Sequence, residues 1–303
     1  MELIRYESPF AYEKAMALWI DVFGAEEALP ETPHVDGSER EENRDIYFLA
    51  QENGRLLGTI HSTIPRDFPA ICGISGMCTA TDARGKGLGR LLFSKIVEEM
   101  DSLGVKAMFL GTENPVAAKL YHSCGFSFLP GSNVMARFSD GDWIDLTRTY
   151  FQSAPGTIRI LPASPGMRIP LVPLALYRGS FQILDCNTEL VNCALFTQPY
   201  CMSLYPKYAQ VGSVLQARSE SGVLGAVCSA MPTESGMRAD FFCCESFTEA
   251  VPRMLDRVGE CYLHIAETDT RKREMAESMG FSPSGHKDLT IGSWQIPGRI
   301  YRR

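Results

Sequence analysis

Residues 79–90 read TATDARGKGLGR, and their types suit the holding of phosphate. Gly85, Gly87 and Gly89 alternate with Arg84, Lys86, Leu88 and Arg90. Glycine lets the backbone turn sharply and lets a pyrophosphate come close to the amides, because no Cβ stands in the way. An amphipathic pattern starts near Leu88, so the same glycines open a helix. About four N–H groups lack partners there, and the helix dipole favours an anion. The cationic side chains add charge of the right sign. A glycine-rich turn also serves purely structural ends, so the loop alone does not decide its use. Two familiar motifs do not fit it. The P-loop ends in Gly-Lys-Ser/Thr where this chain has Gly-Arg-Leu, and the G-x-G-x-x-G dinucleotide fingerprint belongs beside the first strand of a chain.

The elements that must position the loop follow from periodicity. Ala70 to Thr79 reads as an entering strand, interrupted by Gly73 and Gly76, and glycine inside a strand often marks a bulge or a close approach. Leu88, Leu91, Leu92, Ile96, Val97, Met100 and Leu103 make one helix face that Gly104 ends. Val105 to Leu110 is then a short buried strand. Strand, loop, helix and strand form a βαβ unit with parallel neighbours and a crevice at their carboxyl ends. Upstream, Glu2 to Tyr6 predicts a first strand and Tyr12 to Phe23 a helix. Asn53-Gly54 joins the runs Ile46–Gln51 and Leu56–Ile64 as a hairpin. Gly24 to Asp45 is polar and acidic and reads as a lid or a solvated loop.

Composition bounds the class. A chain of 303 residues has room for two domains of ordinary size, and 45% apolar with 21% charged residues belongs to a globular protein. A net charge of −7 argues against nucleic acid or an anionic membrane as the partner. The opening MELIRYESPF has neither a basic region nor an apolar core, and no apolar run is long enough to span a bilayer, so a cytoplasmic location is expected. Ten cysteines and five histidines are scattered without a C-x-x-C pair, so no metal is expected. Cys72, Cys78, Cys228, Cys243, Cys244 and Cys261 read as small core residues, while Cys186, Cys193 and Cys201 lie in a less regular region.

From Asn114 the chain reads NPVAAKLYHSCGF. Preceded by R-x-x-G-x-G at Arg84 to Gly89, one helix and one strand earlier, this resembles the GNAT superfamily of acyl-CoA-dependent N-acetyltransferases. The resemblance covers roughly residues 2–150 and ends in a hairpin turning at Asp140-Gly141-Asp142. It implies an α/β domain, a mixed and mostly antiparallel sheet with a central parallel βαβ pair flanked by helices. It implies that Arg84, Gly85, Lys86, Gly87, Leu88, Gly89 and Arg90 hold the pyrophosphate of acetyl-CoA, the cosubstrate. Met77, Cys78 and Thr79 would meet the pantetheine arm where the fourth and fifth strands splay. Asn114 would contact the cofactor, and Tyr121 would protonate the departing thiolate. The acceptor amine would attack the thioester directly, with a strand amide near Thr79 stabilising the carbonyl oxygen.

Plainer readings stand beside these. Tyr121 can be a core residue next to Leu120, Asn114 an N-cap ahead of Pro115, and Gly125-Phe126 a helix stop and strand entry. The chain departs from many relatives in having no Asp, Glu or His between Ala70 and Thr79. His61 is then the candidate base, with Glu113 behind it, and water delivering a neutral amine is the alternative.

The second half repeats the first. MFLGTENPVAAKLYHSCGF (108–126) aligns without a gap on LHIAETDTRKREMAESMGF (263–281), placing Asp269 on Asn114, Ala276 on Tyr121 and Gly280-Phe281 on Gly125-Phe126. Ser221-Gly222 matches the Asn53-Gly54 turn, and Gly292-Ser293-Trp294 the turn before Trp143. About 13 residues are missing where the phosphate loop would stand. These features predict tandem GNAT-like domains: a catalytic one over 1–150, a linker over 151–165 with a Pro-rich entry through Pro173, and a degenerate one over 166–303. The helix-one equivalent falls between Tyr177 and Leu204. The second domain would pack, shape the acceptor channel through Tyr200 to Tyr208, or form a homo-oligomer. The expected activity is acetyl transfer to a primary amine of a small molecule or peptide, a cationic one if the acidic segment faces it. The alternatives are a non-catalytic acyl-CoA-binding module and an enzyme using a longer acyl chain.

Overall fold

The computed structural model describes residues 1–153, 155–177, 181–190 and 208–303. Backbone contacts divide the chain into two units, Met1–Gly141 and Asp142–Arg303. The strands of the first unit are β1 (Glu2–Glu7), β2 (Asn43–Glu52), β3 (Arg55–Pro65), β4 (Ile71–Thr79), β5 (Ala107–Gly111), β6 (Ser127–Phe128) and β7 (Val134–Phe138). They form one sheet in the order β1-β2-β3-β4-β5-β7-β6, and only β4 and β5 are parallel. The β2–β3 turn is the expected one, with Asn53 at φ 51° and Gly54 at φ 74°.

Helices cover both faces. On one side α1 (Glu13–Phe23) buries Ala15, Met16, Leu18 and Trp19. On the other, α4 (Leu88–Ser102) buries Leu88, Leu92, Phe93, Ile96, Val97 and Met100. Gly58 of β3 permits the approach of α4, since a Cβ there would stand 3.0 Å from Leu92 Cδ1 and 2.9 Å from the Cys78 carbonyl oxygen. The acidic 24–45 segment is not an open loop. It folds into α2 (Ala25–Ala28), a short 3-10 turn and α3 (Thr32–Val35), and then enters β2. The helix α5 (Pro115–His122) starts at Asn114, whose side chain accepts from the Val116 and Ala117 amides.

The hairpin expected at Asp140-Gly141-Asp142 is instead the entry to α6 (Trp143–Tyr150). Asp142 and Asp145 form a capping box, which makes a helix start of what reads as a turn. The matching of Gly292-Ser293-Trp294 to Trp143 fails with it, because Trp294 lies in a strand hairpin.

The second unit holds β8 (Arg159–Pro162), β9 (Ser213–Arg218), β10 (Leu224–Thr233), β11 (Gly236–Cys243), β12 (Tyr262–Ala266), β13 (Ser282–His286) and β16 (Gly298–Arg302) in one sheet. A separate hairpin of β14 (Leu289–Ile291) and β15 (Trp294–Ile296) stands beside it. The order β8-β9-β10-β11-β12-β16-β13, with only β11 and β12 parallel, repeats the first sheet strand for strand. The protein is thus α/β, with two tandem GNAT-like folds. A helix follows the first strand here too, as α7 (Arg168–Leu176), ahead of the Tyr177–Leu204 range where it was expected; residues 178–180 and 191–207, with Cys193 and Cys201, lie outside the described residues. The prolines disguise it. Pro170 sits in the first turn, where no amide bond is lost, and only Pro173 is internal.

The missing length also lies elsewhere than expected. The helix after the parallel strand, α8 (Ala250–Val258), has 9 residues against 15 in α4, while the stretch leading into it, 244–249, is only two residues shorter than 80–87, so more of the deficit falls in the helix than in the loop before it. Asp269 caps α9 (Thr270–Ser278) as Asn114 caps α5. Lys272 of α9 is buried and donates to Asp240 Oδ1 at 2.6 Å and to the Ile183 and Leu184 carbonyl oxygens at 2.6 and 3.2 Å. Burial pulls its pKa down, but Asp240 and Asp269 outweigh that and the net shift is upward. Replacing Lys272 by Ala leaves Asp240 buried without its cation, at a cost of about 3–5 kcal/mol. Hydrogen exchange should then show loss of protection across residues 181–190, with the first unit unchanged.

Candidate active site

The site is built where β4 leaves β5. The two strands pair only from Ile71 to Gly73 against Ala107 to Phe109, so the β5 side of Ile74–Thr79 has no strand partner among the described residues. On its other edge β4 carries a bulge. Thr59 pairs with Cys78 and His61 with Ser75, so Gly76 and Met77 together oppose Ile60. Gly76 takes φ 57°, a conformation that a side chain resists. A chain of hydrogen bonds pins the bulge: Trp19 Nε1 donates to Thr59 Oγ1 at 2.8 Å, and that hydroxyl donates to the Gly76 carbonyl oxygen at 2.7 Å.

The glycine-rich loop opens α4 beside this gap. Gly85 and Gly87 have φ of 75° and 79°, and nothing lies within 4 Å of where their Cβ atoms would stand. The glycines are therefore required by backbone conformation rather than by crowding. Gly87 is the N-cap of α4 and caps it with no side chain, so the first amides of the helix, from Leu88 to Arg90, are left for an anion. Arg84, Lys86 and Arg90 are exposed around them, while Leu88 is a core residue that can offer only its backbone. The residues present fit a pyrophosphate.

Three elements meet at Gly89. A Cβ there would lie 3.1 Å from Met77 Cε, 3.6 Å from Leu120 Cδ2 and 3.9 Å from Thr79 Oγ1. The loop, the splayed half of β4 and α5 thus share one contact shell on the α4 side. Tyr121 belongs to this side, stacked on Phe93 with ring centroids 4.7 Å apart. Burial pushes its pKa up to about 12, so the phenol stays protonated as a donor. Asn114 spends its side-chain oxygen on the helix cap, and Glu113 is exposed, taking a 3.4 Å hydrogen bond from Asn133. Cys78 is buried against Thr59, with its pKa pushed up to about 11 by burial, and contributes packing. A cleft of ≈ 640 Å³ lined by Lys14, Leu18, Asp21, Arg55 and Asp82 lies beside the loop entrance rather than in the gap.

His61 is on the opposite face of the sheet and fully buried, with Tyr47 stacked on it at 4.2 Å. Its Nδ1 is 2.9 Å from Ser75 Oγ and its Nε2 is 2.8 Å from Asp45 Oδ1. Asp45 Oδ1 also accepts from Thr63 Oγ1 at 2.7 Å and lies 3.3 Å from His34 Nδ1. Burial pushes the Asp45 carboxyl up, but the bonds from His34 and His61 outweigh it and hold the group well below the usual carboxylate range. The three donor atoms of His34, Asp45 and His61 lie within 4.8 Å of one another. The 2.8 Å spacing of His61 and Asp45 is nevertheless that of a hydrogen bond; two ligands of a tetrahedral ion would stand about 3.3 Å apart. Sequence reading missed Ser75, Asp45 and His34, since no local spacing links residues on separate elements.

Residues 12–126 match the model of the acetyltransferase (GNAT) family. The first unit belongs to that family. Members use acetyl-CoA as co-substrate, which agrees with the loop's fit to a pyrophosphate. An L-methionine sulfoximine/L-methionine sulfone acetyltransferase from Salmonella typhimurium is 39% identical over 72 residues, 23% of this chain. The chain spans 41% of that relative's length. Similar solved structures include a GNAT-family acetyltransferase from Staphylococcus aureus, 14% identical with a TM-score of 0.38, which covers 46% of this chain and 100% of its own. Another is the spermidine N-acetyltransferase from Vibrio cholerae in complex with CoA and spermine, 15% identical with a TM-score of 0.37 over 48% of this chain and 94% of its own. Among the described residues no helix is long and apolar enough to cross a membrane.

Two outcomes follow from this geometry. Gly87→Ala forces a left-handed residue to carry a Cβ, costing about 1–2 kcal/mol, and should weaken acetyl-CoA binding measured by calorimetry. Asp45 has a folded pKa below its unfolded one of about 3.9, so its stabilisation is present above that range and lost as the pH falls through it. Melting temperatures taken from pH 6 downward should therefore fall more steeply for the wild type than for Asp45→Asn.

Proposed function

We propose that the first unit transfers the acetyl group of acetyl-CoA to a primary amine of a small molecule or peptide. The observation that carries this reading is the meeting of the uncapped start of α4, the splayed half of β4 and α5 around Gly89. The amides from Leu88 to Arg90 hold the pyrophosphate, with Arg84, Lys86 and Arg90 adding charge. The main chain of Met77 to Thr79 offers hydrogen bonds to the pantetheine arm and a donor to the carbonyl oxygen. Bound acetyl-CoA supplies the acyl carbon and a thiolate leaving group.

Tyr121 donates to that sulfur as it leaves. A phenol at about 12 is a poor acid toward a thiol near its solution value of about 8.5. Burial shifts a thiol upward as it does a phenol, which narrows that difference. The relative named for L-methionine sulfoximine and L-methionine sulfone, both amino acids with a free amine, supports an amine acceptor. The second unit has no part in this chemistry, because Ala276 stands in Tyr121's place and Glu245 and Glu249 precede α8 where the phosphate loop precedes α4.

Turnover of acetyl-CoA against a panel of primary amines, followed by thiol release, tests the proposal. Tyr121→Phe should lower kcat by about 10²-fold with acetyl-CoA affinity unchanged. Tight binding of acetyl-CoA with no turnover on any amine would instead make the unit an acyl-CoA-binding module.

A further inference from the structure

An amine that attacks a thioester must shed a proton, and the half of β4 beside the gap holds no carboxylate or imidazole. It holds Ser75. This residue is half-exposed, and its hydroxyl is 2.9 Å from His61 Nδ1. Everything behind it is buried: His61, Asp45 and Thr63 are at most 3% exposed.

The hydrogen bonds fix the direction in which a proton can move. Asp45 is a carboxylate and only accepts, so His61 must carry its proton on Nε2 to bond it at 2.8 Å. Nδ1 is then an unprotonated acceptor, and Ser75 donates to it. The ring cannot rotate away, since Tyr47 stacks on it with an interplanar angle of 2°.

The placement is as telling as the order. In a regular strand residues 75 and 77 would face the same side. The bulge at Gly76 separates them, sending Ser75 to His61 on the α1 face and Met77 to Gly89 on the α4 face. Tyr121 also stands on the α4 face. One proton-accepting and one proton-donating hydroxyl thus stand on opposite faces of the sheet. The second unit lacks the pair: counted from Gly225, the residue matching Gly58, Cys228 stands in the place of His61.

We propose that Ser75, His61 and Asp45 form a proton relay that deprotonates the acceptor amine on the α1 face of the sheet. As the N–C bond forms, the amine proton passes to Ser75 Oγ and the Ser75 proton passes to His61 Nδ1. Asp45 holds the resulting imidazolium. Deprotonation by the reverse route restores the site after the amide leaves. Ser75 is the group that meets the amine, and His61 and Asp45 act through it. The inference rests on the acetyl-transfer reading above.

Charged and titratable neighbours of His61 come from two elements and one segment: Asp45 and Tyr47 on β2, His34 on α3, and Glu31 ahead of it, 4.0 Å from His34 Nε2. The test combines two readouts. Nitrogen NMR of the free protein should show His61 protonated on Nε2 and bare on Nδ1, reversing in Asp45→Asn. Ser75→Ala should lower kcat about 10²-fold and flatten the acid limb of the pH–rate profile. Acetyl-CoA affinity and melting temperature should stay unchanged, and Ser75→Thr should recover most of the rate. Full activity in Ser75→Ala, a proton on Nδ1 in the free wild type, a tightly bound metal ion at His61, or an acetyl group trapped on Ser75 would each overturn the relay. Failure of the wild type on every amine would strike the acetyl-transfer reading itself, while the NMR result would still report the relay's resting arrangement.

Discussion

The candidate site depends on one backbone event, the departure of β4 from both neighbours over the same few residues. Toward β5 the ladder stops after Gly73, which frees main-chain groups for a ligand. Toward β3 an extra residue enters at Gly76 and reverses the side-chain alternation. Neither would persist unsupported, because unpaired backbone and a left-handed residue both raise the energy of the strand. The support is the buried Trp19–Thr59–Gly76 chain of hydrogen bonds, which ties the bulge to α1. Function at the gap therefore draws on packing from the opposite face of the sheet.

The two units make the same point by contrast. Their sheets share order and direction, so the difference between them at the helix start is not a matter of fold. In the first unit Gly87 is left-handed and α4 begins abruptly, presenting its first amides outward. A 3-10 turn precedes the helix in both units, at Thr81–Ala83 and Glu245–Phe247, but in the second Glu249 continues into α8 in helical conformation. The Thr248 carbonyl oxygen accepts from Val251, so the chain winds into the helix without an open cradle, and two carboxylates precede it. The shortening of α8 to 9 residues removes more of the surface on which a ligand would lie. The second unit keeps instead a buried polar knot, Lys272 with Asp240, that fastens the 181–190 segment to its sheet.

What could be read in the sequence was what is local. The glycine loop, the βαβ order, the Asn53-Gly54 turn and the caps at Asn114 and Asp269 each rest on residues within a few positions of one another. What could not be read was assembled across strands. Ser75, His61 and Asp45 are separated by 14 and 16 residues and become neighbours only through the β2–β3–β4 register. Asp142 misled because Asp-Gly-Asp suits a hairpin as well as a helix cap, and α7 was hidden because Pro170 and Pro173 suggest a linker unless one knows that the first is harmless in a first turn.

In the proposed reaction, proton traffic gives the two faces of the sheet separate tasks. Amide formation releases a proton where the amine attacks and consumes one where the thiolate departs, and the gap between β4 and β5 lies between those points. A single group serving both would have to cross the sheet. Tyr121 on the α4 side is kept neutral by burial and needs no partner to remain a donor. An acceptor on the α1 side has the opposite difficulty, because taking a proton there creates a buried cation. Asp45 answers it: its carboxylate stays ionised in spite of burial, held by His34, His61 and Thr63, and so a negative charge is already in place beside His61 before any proton arrives. The cost of that buried carboxylate is met during folding, by the hydrogen bonds that surround it, and not during the reaction.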